Sequence, residues 1–435
     1  MWGWKPGYIA ASTEPVQSSE ARLLVLSSLF PSKAQPAAGV FIRERMFRVG
    51  KQRKIVVLSP QPWFPGQALI RRFRPHFRPP APPYEVMAGV EVHRPRYFSF
   101  PGVLKRIDGI SMGLCSLRTA GRLVRDLRLN VLDVHFAYPD GRAGAFLAPR
   151  LGLPMVLTLR GKEKRESKGE LRGALTRAIT VARRIITVSN DLRDLAVELG
   201  AHPSRVHVVG NGIDVAKFSP IPRAQARAHL RLGHDWQILV SVGGLVKRKG
   251  FQRVIEVLPA LLCRFPRLHF IIVGGPGPEG DDSPEFKAQA NEHGVTGHVH
   301  FLGPKPPDQL FEVLSAADVF VLASSYEGWA NVLLEAMACG IPVVATDVGG
   351  NAQVVSDERL GFVIPFGDTD ALETAIDRAL RFPWDRSVIR AYAVANAWER
   401  RIPLLLEVFD AVHSEAVMRQ TPRAAAAAPG GRGVD

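Results

Sequence analysis

Cysteine is scarce in this sequence: Cys115, Cys263 and Cys339 are the only three in 435 residues. They are odd in number, far apart and outside any C-x-x-C pair, which argues against a disulfide framework or a zinc site and fits a reducing cytoplasm. Long apolar runs are missing as well. No segment reaches the roughly 18 apolar residues that a membrane-spanning helix needs. The opening stretch MWGWKPGYIAAS also lacks the basic-then-apolar order of a secretory leader. The expectation is a cytoplasmic protein without a transmembrane helix, able at most to lie peripherally on the inner face of the plasma membrane. Acidic residues, finally, are short in the first half. Residues 1–220 hold 35 Lys and Arg against 16 Asp and Glu, a net of +19, whereas residues 221–435 hold 21 against 25, a net of −4. A general preference for arginine would explain the abundance but not the asymmetry, so an anionic partner is expected on the first half: phosphates, anionic lipid headgroups or nucleic acid. Nucleic acid is the weakest of these, because neither a helix-turn-helix nor an RNP sequence is present.

What is present is enough apolar sequence, 46% of residues, to bury two sizeable cores. Short apolar runs bounded by glycine, proline and asparagine alternate with segments of helical periodicity. RLLVLSS (22–28) reads as a buried parallel strand, VFIRERMFRVGKQ as a helix and KIVVLSP as the next strand. ILVSVGGLVKRKGFQRVIEVLPALLCRF (238–265) repeats the pattern as strand, glycine loop and helix. Two alternating halves of this kind predict an α/β protein of two Rossmann-like, doubly wound domains facing across a cleft. The expected organisation is a disordered extension over residues 1–21, a first domain over 22–218, a linker over 219–235, a second domain over 236–388, crossover helices over 389–418 and a disordered tail over 419–435. Trp63 to Val86, rich in proline, aromatics and arginine, is expected to be an exposed loop. Between Pro101 and Asn130, apolar Val103, Leu104, Ile107, Ile110, Leu114, Leu117, Leu123, Val124 and Leu127 recur at helical spacing, with Lys105, Arg106, Arg118, Arg122, Arg125 and Arg128 interleaved. That segment reads either as packed domain helices or as a basic amphipathic surface leaning on an anionic membrane.

The chain is organised around Ser324 to Val355, SSYEGWANVLLEAMACGIPVVATDVGGNAQVV. Glu327 falls in a loop after an apolar strand, and Glu335 lies inside the following helix. An eight-residue step spans roughly 12 Å if helical throughout, about the reach from a transferred sugar across a diphosphate to a ribose. Between the carboxylates, the N–H groups near Asn331 and Val332 open the helix, and unpaired N–H groups at a helix start attract phosphate. Taken singly, a carboxylate at a helix start is as readily a cap, and one on a helix flank simply solvated. Lys249 directly precedes Gly250 and a helix start, so its ammonium and the helix N–H groups could share a departing diphosphate; flanked by Lys247 and Arg248, it could equally be a solvated lysine.

The complete string resembles the E-x7-E segment of retaining family 4 glycosyltransferases, two-domain enzymes of the GT-B fold whose terminal helix crosses back to the first domain. The resemblance extends over roughly residues 22–418. It implies that Glu327 contacts the donor sugar and Glu335 the ribose of a nucleotide-diphospho-sugar, with Asn331 and Val332 on the donor between them. The loop after the strand at 238 is similar to the family's G-R-L-x-x-x-K-G pattern. That makes Lys249 catalytic together with Glu327 and puts Gly243, Gly244 and Arg248 on the donor side, although Gly244 stands where the pattern has Arg and only Lys247 or Arg248 is available to replace it. Asn211-Gly212, followed by Asp214 and Phe218, resembles the junction that closes the first domain, which adds Asn211 to the donor side. On the acceptor and diphosphate side the resemblance implies Gly39, in the first glycine-containing loop, and Asp140, in the loop HFAYPDG. Its neighbour His135, a lone histidine at a strand end, reads as a core residue. Many relatives have T-x-H-G at the end of the next strand; here Arg160 takes the histidine's place, which implies a charge-based role. Gln353 likewise stands where the family usually has Glu.

The implied reaction is transfer of a glycosyl group, with retention, to a hydroxyl of a lipid-linked saccharide in cell-surface polysaccharide biosynthesis, an undecaprenyl-diphosphate-linked acceptor being the leading case. No metal and no other cofactor is expected. A nucleotide-sugar epimerase of the same fold and a non-catalytic polyanion binder remain the alternatives.

Overall fold

The computed structural model describes residues 20–420 apart from Ala37, 74–76 and Pro278. The expected extension (1–21) and tail (419–435) lie outside the described residues except at their inner ends.

Ten strands form in the first part of the chain: β1 Leu23–Leu26, β2 Ile55–Leu58, β3 Gln61–Trp63, β4 Tyr84–Met87, β5 Val90–His93, β6 Arg96–Phe98, β7 Val131–His135, β8 Met155–Leu159, β9 Arg184–Thr187 and β10 Val206–Val208. Eight of them make one sheet, in the order β10-β9-β8-β7-β1-β2-β5-β4. Every pairing in it is parallel except that of the edge strand β4 with β5. Every residue of β1, β2, β7 and β8 is buried, as a parallel sheet covered on both faces requires; β1 and β2 accordingly read as unbroken apolar runs, and β7 and β8 depart from that only at Asp133, His135 and Thr158. The second part adds β11 Gln237–Val242, β12 Leu268–Val273, β13 Val299–Gly303, β14 Val319–Leu322, β15 Val343–Thr346 and β16 Gly361–Ile364. They form a wholly parallel sheet in the order β13-β12-β11-β14-β15-β16, the 3-2-1-4-5-6 arrangement of a doubly wound domain.

Each sheet therefore has a point where the strand order reverses, between β1 and β7 in the first and between β11 and β14 in the second. Ligands of such sheets bind beyond the carboxyl ends of the strands at that point. The helix Trp398–Gln420 ties the second unit to the first. Its Asp410 accepts from Ala21 N at 2.9 Å and pairs with Arg53 at 2.7 Å, and its apolar face joins Leu23, Ile42 and Met46 in one core. In the connecting segment, the helix Arg223–His229 carries Arg227, whose guanidinium lies 2.8 Å from Asp318 Oδ2 in the second unit.

The loop expected from Trp63 to Val86 is a correction: it contains the end of β3, a helix at Gln67–Phe73 and the start of β4. The helix is a run of good helix formers set after Pro65. The β4–β5 hairpin turns at Ala88-Gly89, with φ of 48° and 81°, the left-handed pair that a two-residue hairpin turn needs. The 101–130 segment is a single long helix, Asp108–Leu127, packed through Met112, Ser116, Ala120 and Leu123. Val103, Leu104, Ile107, Ile110 and Leu114 stay exposed at its beginning.

Candidate active site

The site grows from the second switch point. After β11 the chain passes Gly243 and Gly244, makes a short turn over Lys247–Lys249 and enters the helix Phe251–Arg264 through Gly250. Gly250 has φ +80°, and a Cβ on it would sit 2.0 Å from the Ala323 carbonyl oxygen. Only glycine lets this turn press against the end of β14, and that contact sets Lys249 beside Glu327. Gly243 does the rest, because a Cβ there would lie 3.3 Å from the Cγ, Cδ and Cε of Lys249; the bare backbone is a bed for the lysine stem.

Glu327 is buried and accepts at Oε1 from Lys249 Nζ at 2.7 Å and from Ser324 Oγ at 2.8 Å. Arg248 Nη1 is 3.8 Å from the same oxygen and donates to Tyr326 O at 3.1 Å, while the rest of its guanidinium is hydrogen-bonded to Glu279. These Glu279 bonds, assisted by Glu327, raise the Arg248 pKa further. Lys247 points elsewhere, into a 2.5 Å pair with Glu285. Of the two replacements for the absent arginine, Arg248 alone therefore stands at the site. Around the ideal Cβ position of Gly244 there is no atom within 4 Å.

Only part of the step from Glu327 to Glu335 is helical, because the helix occupies Asn331–Ala338. Asn331 and Val332 are its first two residues, so their N–H groups are among those without an intrahelical partner. Glu335, half-buried on this helix, has no hydrogen bond or ion pair among the described residues. Burial pushes its carboxyl up to about 7, with Lys217 and Lys249 opposing and Glu44 reinforcing the shift.

From Asn331 a buried polar chain runs into the first unit. Asn331 Oδ1 accepts from Asn211 Nδ2 at 2.9 Å, and Asn211 Oδ1 accepts from Arg160 Nη1 at 3.4 Å. Arg160 Nε and Nη2 reach His135 Nδ1 at 3.1 and 2.9 Å, and His135 Nε2 lies 3.1 Å from Asp133 Oδ2. Burial holds His135 down at about 4, so the neutral ring accepts from Arg160. Burial, then nearby Arg45, also pulls the Arg160 guanidinium well below its usual value. His135 is thus a fully buried support for Arg160, as expected of a lone strand-end histidine.

At the first switch point, Gly39 caps a helix with φ +65°, and a Cβ there would meet Leu29 O at 2.3 Å. Asp140 is buried; its Oδ2 accepts from Ser28 Oγ at 2.9 Å and its Oδ1 from Ser28 N. Burial lifts its carboxyl to about 6, against the pull of Lys162 and of the Ser28 bonds. The loop after β14, at the second switch point, meets the loop after β8 of the first sheet: a Cβ on Gly328 would lie 2.0 Å from Arg160 O, and Tyr326 OH donates to Gly161 O. Gln353 Oε1 accepts from Asn190 N at 2.9 Å across the same boundary.

The structure thus brings Glu327, Lys249 and Arg248 together, links Asn331, Asn211 and Arg160 in a chain, and sets Gly39 and Asp140 at the opposite switch point. Sequence reading missed Ser324, Ser28 and Tyr326, ordinary residues whose one clue was a position just past a strand end. Among the described residues no group of three or more His, Cys, Asp or Glu is placed to hold a metal ion. Asp368, two residues before Asp370, caps the helix Thr369–Arg381 by accepting from Ala371 N.

Fold and site together define a glycosyltransferase of the GT-B class. The family description "Glycosyl transferases group 1" matches residues 222–395, and "Glycosyltransferase Family 4" matches residues 54–217. TuaC of Bacillus subtilis (strain 168), named as a teichuronic acid biosynthesis glycosyltransferase, is 31% identical over 365 residues, covering 82% of this chain and 88% of its own. The D-inositol 3-phosphate glycosyltransferase of Acidothermus cellulolyticus is 30% identical over 342 residues, covering 73% and 76%. Among solved structures, Anabaena HepE in complex with UDP superposes with a TM-score of 0.68 at 18% identity, over 90% of this chain and all of that one. Sucrose-phosphate synthase from Thermosynechococcus elongatus gives 0.67 at 20% identity, over 92% and 98%. The chain belongs to glycosyltransferase family 4.

Proposed function

We propose that the protein transfers a sugar, with retention at the anomeric carbon, from a nucleotide-diphospho-sugar to a hydroxyl of a lipid-linked saccharide in cell-surface polysaccharide biosynthesis. The observation that carries this reading is the Lys249–Glu327 contact at the second switch point, with an unpartnered Glu335 eight residues on. Glu335 accepts from the ribose hydroxyls, and the N–H groups of Asn331 and Val332 meet the diphosphate at a helix start. Lys249 neutralises charge as the diphosphate leaves, Arg248 adds a second cation and Glu327 holds the sugar ring. Gly243 and Gly244 leave room for the donor, while Asn211 and Arg160 fix the position of Asn331. Gly39 and Asp140 face the acceptor. No metal or other cofactor takes part. HepE, solved with UDP and with UDP-glucose, and the teichuronic acid assignment of TuaC support the donor class and the pathway class.

The first 220 residues carry the +19 excess. Their exposed Val103, Leu104, Ile107, Ile110 and Leu114, with Arg106 and Arg118 exposed beside them, suit an anionic membrane from which a lipid-linked acceptor is taken. No helix among the described residues is long and apolar enough to cross a membrane; the proposed contact is a peripheral one, on the cytoplasmic face.

The test is a thermal-shift panel of UDP-, GDP- and ADP-sugars on the wild type and on Glu335→Ala, followed by NMR of the anomeric configuration in the product. One donor should stabilise the wild type and not the variant. Inversion in the product, or a donor response that survives in Glu335→Ala, would remove this reading.

A further inference from the structure

A cavity of about 850 Å³ opens beside the first switch point. Ser28, which holds Asp140, is in its wall, and Pro276 and Gly277 of the second unit close its far side. It therefore adjoins the acceptor side of the cleft. Among the described residues four arginines line it, Arg71, Arg78, Arg94 and Arg96, and no Asp or Glu does.

Their charges are not equally spoken for. Arg94 is fully buried and paired with Glu85 at 3.0 Å. Arg78 spends Nη1 and Nη2 on Ser99 O and Oγ, at 2.7 and 3.3 Å, and Arg71 Nε donates to Arg78 O at 3.2 Å. Neither meets a carboxylate within ion-pair distance among the described residues. Arg96 is exposed, and its side chain makes no hydrogen bond or ion pair among the described residues. Arg71, Arg78 and Arg96 thus line one cavity with no carboxylate within ion-pair distance among the described residues, Asp108 acting on Arg78 only from beyond that distance, and each keeps donors to spare. A singly charged carboxylate would leave most of that charge unbalanced; a phosphate or diphosphate ester matches it, and the planar guanidinium fork is the group best shaped to hold one.

A second observation comes from Gln67. It is 4% exposed, and its Oε1 is buried without a hydrogen-bond partner. Gln67 and Arg71 lie four residues apart on the helix Gln67–Phe73, hence on one face of it, and both line the cavity. A buried amide oxygen left unpaired is costly, and a hydroxyl donor from the ligand would satisfy it.

We propose that this cavity binds the phosphate- or diphosphate-bearing part of the acceptor, with Arg71, Arg78 and Arg96 pairing with the anion and Gln67 Oε1 accepting from a hydroxyl of the adjoining sugar. The inference rests on the transferase reading and adds where on the fold, and by which residues, the acceptor's phosphate is held.

Calorimetric titration of the full chain tests it, with sodium pyrophosphate, geranyl diphosphate and sodium glucuronate as probes at fixed ionic strength. The proteins are the wild type, Arg71→Ala/Arg96→Ala, Arg96→Glu and Lys249→Ala. Arg96→Glu guards against misfolding, since Arg96 makes no contact that the fold needs. Pyrophosphate should bind the wild type at least about tenfold more tightly than glucuronate, Lys249→Ala should keep a pyrophosphate site, and both arginine variants should weaken that site by about tenfold or more. Tighter binding of geranyl diphosphate than of pyrophosphate assigns the anion to a lipid-linked acceptor; equal binding assigns it to a free phosphate ester. Both outcomes support the cavity site. Wild-type binding of pyrophosphate that the arginine variants retain, that Lys249→Ala alone abolishes, or that glucuronate equals, would overturn it, as would no binding. Donor thermal shifts on the same proteins separate the two claims: if the donor response persists while pyrophosphate fails, only the acceptor inference falls.

Discussion

Lys249 Nζ lies 2.7 Å from Glu327 Oε1, so the cation on one loop and the carboxylate on the other are each other's counter-ion before any ligand arrives. A diphosphate entering the site competes with Glu327 for that ammonium, which couples the sugar end of the donor to its phosphate end. Glu327→Gln keeps the size of the side chain and removes the charge. It is expected to lower kcat by about a hundredfold or more while moving the donor KM by less than about threefold. Steady-state kinetics check this, and an unchanged kcat would rule out a catalytic role for the pair.

The pH dependence centres on Glu335. Its ordinary value is 4.5 and burial raises it to about 7 in the folded chain. Between those values the unfolded chain has lost the proton that the native chain still holds, so stability falls as pH rises through this window, by at most about 1.4 kcal/mol per pH unit from one group. Glu335→Gln should make that stretch of the curve shallower in urea titrations from pH 4.5 to 7.5, and the difference from wild type isolates Glu335 from Asp140 and Glu166, whose carboxyls burial also raises. Donor binding should run the opposite way, because the carboxylate is the form that accepts from ribose hydroxyls. Wild-type affinity should rise as pH climbs through about 7, and the variant should bind about tenfold more weakly without that rise.

Gly244 and Gly250 sit in one loop and should respond in opposite ways. Gly244 has open space around its missing Cβ. Gly244→Arg should fold with a melting temperature close to wild type and raise kcat/KM for the donor by about tenfold, as a further cation beside the diphosphate would.

Gly250→Ala should fail where Gly244→Arg succeeds. Its Cβ would press on Ala323 O in a left-handed backbone, costing about 2 kcal/mol or more and moving Lys249 off Glu327. Differential scanning calorimetry and activity should fall together; a neutral Gly250→Ala would mean that the loop does not need this close approach.

Membrane contact is testable on the exposed stripe. Ile110 and Leu114 are 37% and 57% exposed, so Ile110→Asp/Leu114→Asp should leave the unfolding midpoint within about 0.5 kcal/mol of wild type. The same variant should lose co-sedimentation with phosphatidylglycerol vesicles, and wild type should release from them at high salt. A wild type that ignores such vesicles would defeat the membrane reading.

The sequence by itself determined the two parallel sheets, since strands buried on both faces leave continuous apolar runs, at β1 and β2 in the first sheet and β14 in the second, that cannot be mistaken for alternating edge strands. It also marked the family, through the resemblance of the whole string from Ser324 to Val355 rather than through either glutamate alone, and it marked Lys249 by its place before Gly250. The Gln67–Phe73 helix escaped it because a seven-residue element between prolines has too few turns to show a period. Only the tertiary structure decided which side chains meet. The Lys249–Glu327 contact joins residues 78 apart, and the chain from Asn331 through Asn211 and Arg160 to His135 joins four separate segments. Local spacing carries no information about such pairs, because they are set by the order of strands in each sheet and by the crossing helix that holds the two sheets face to face.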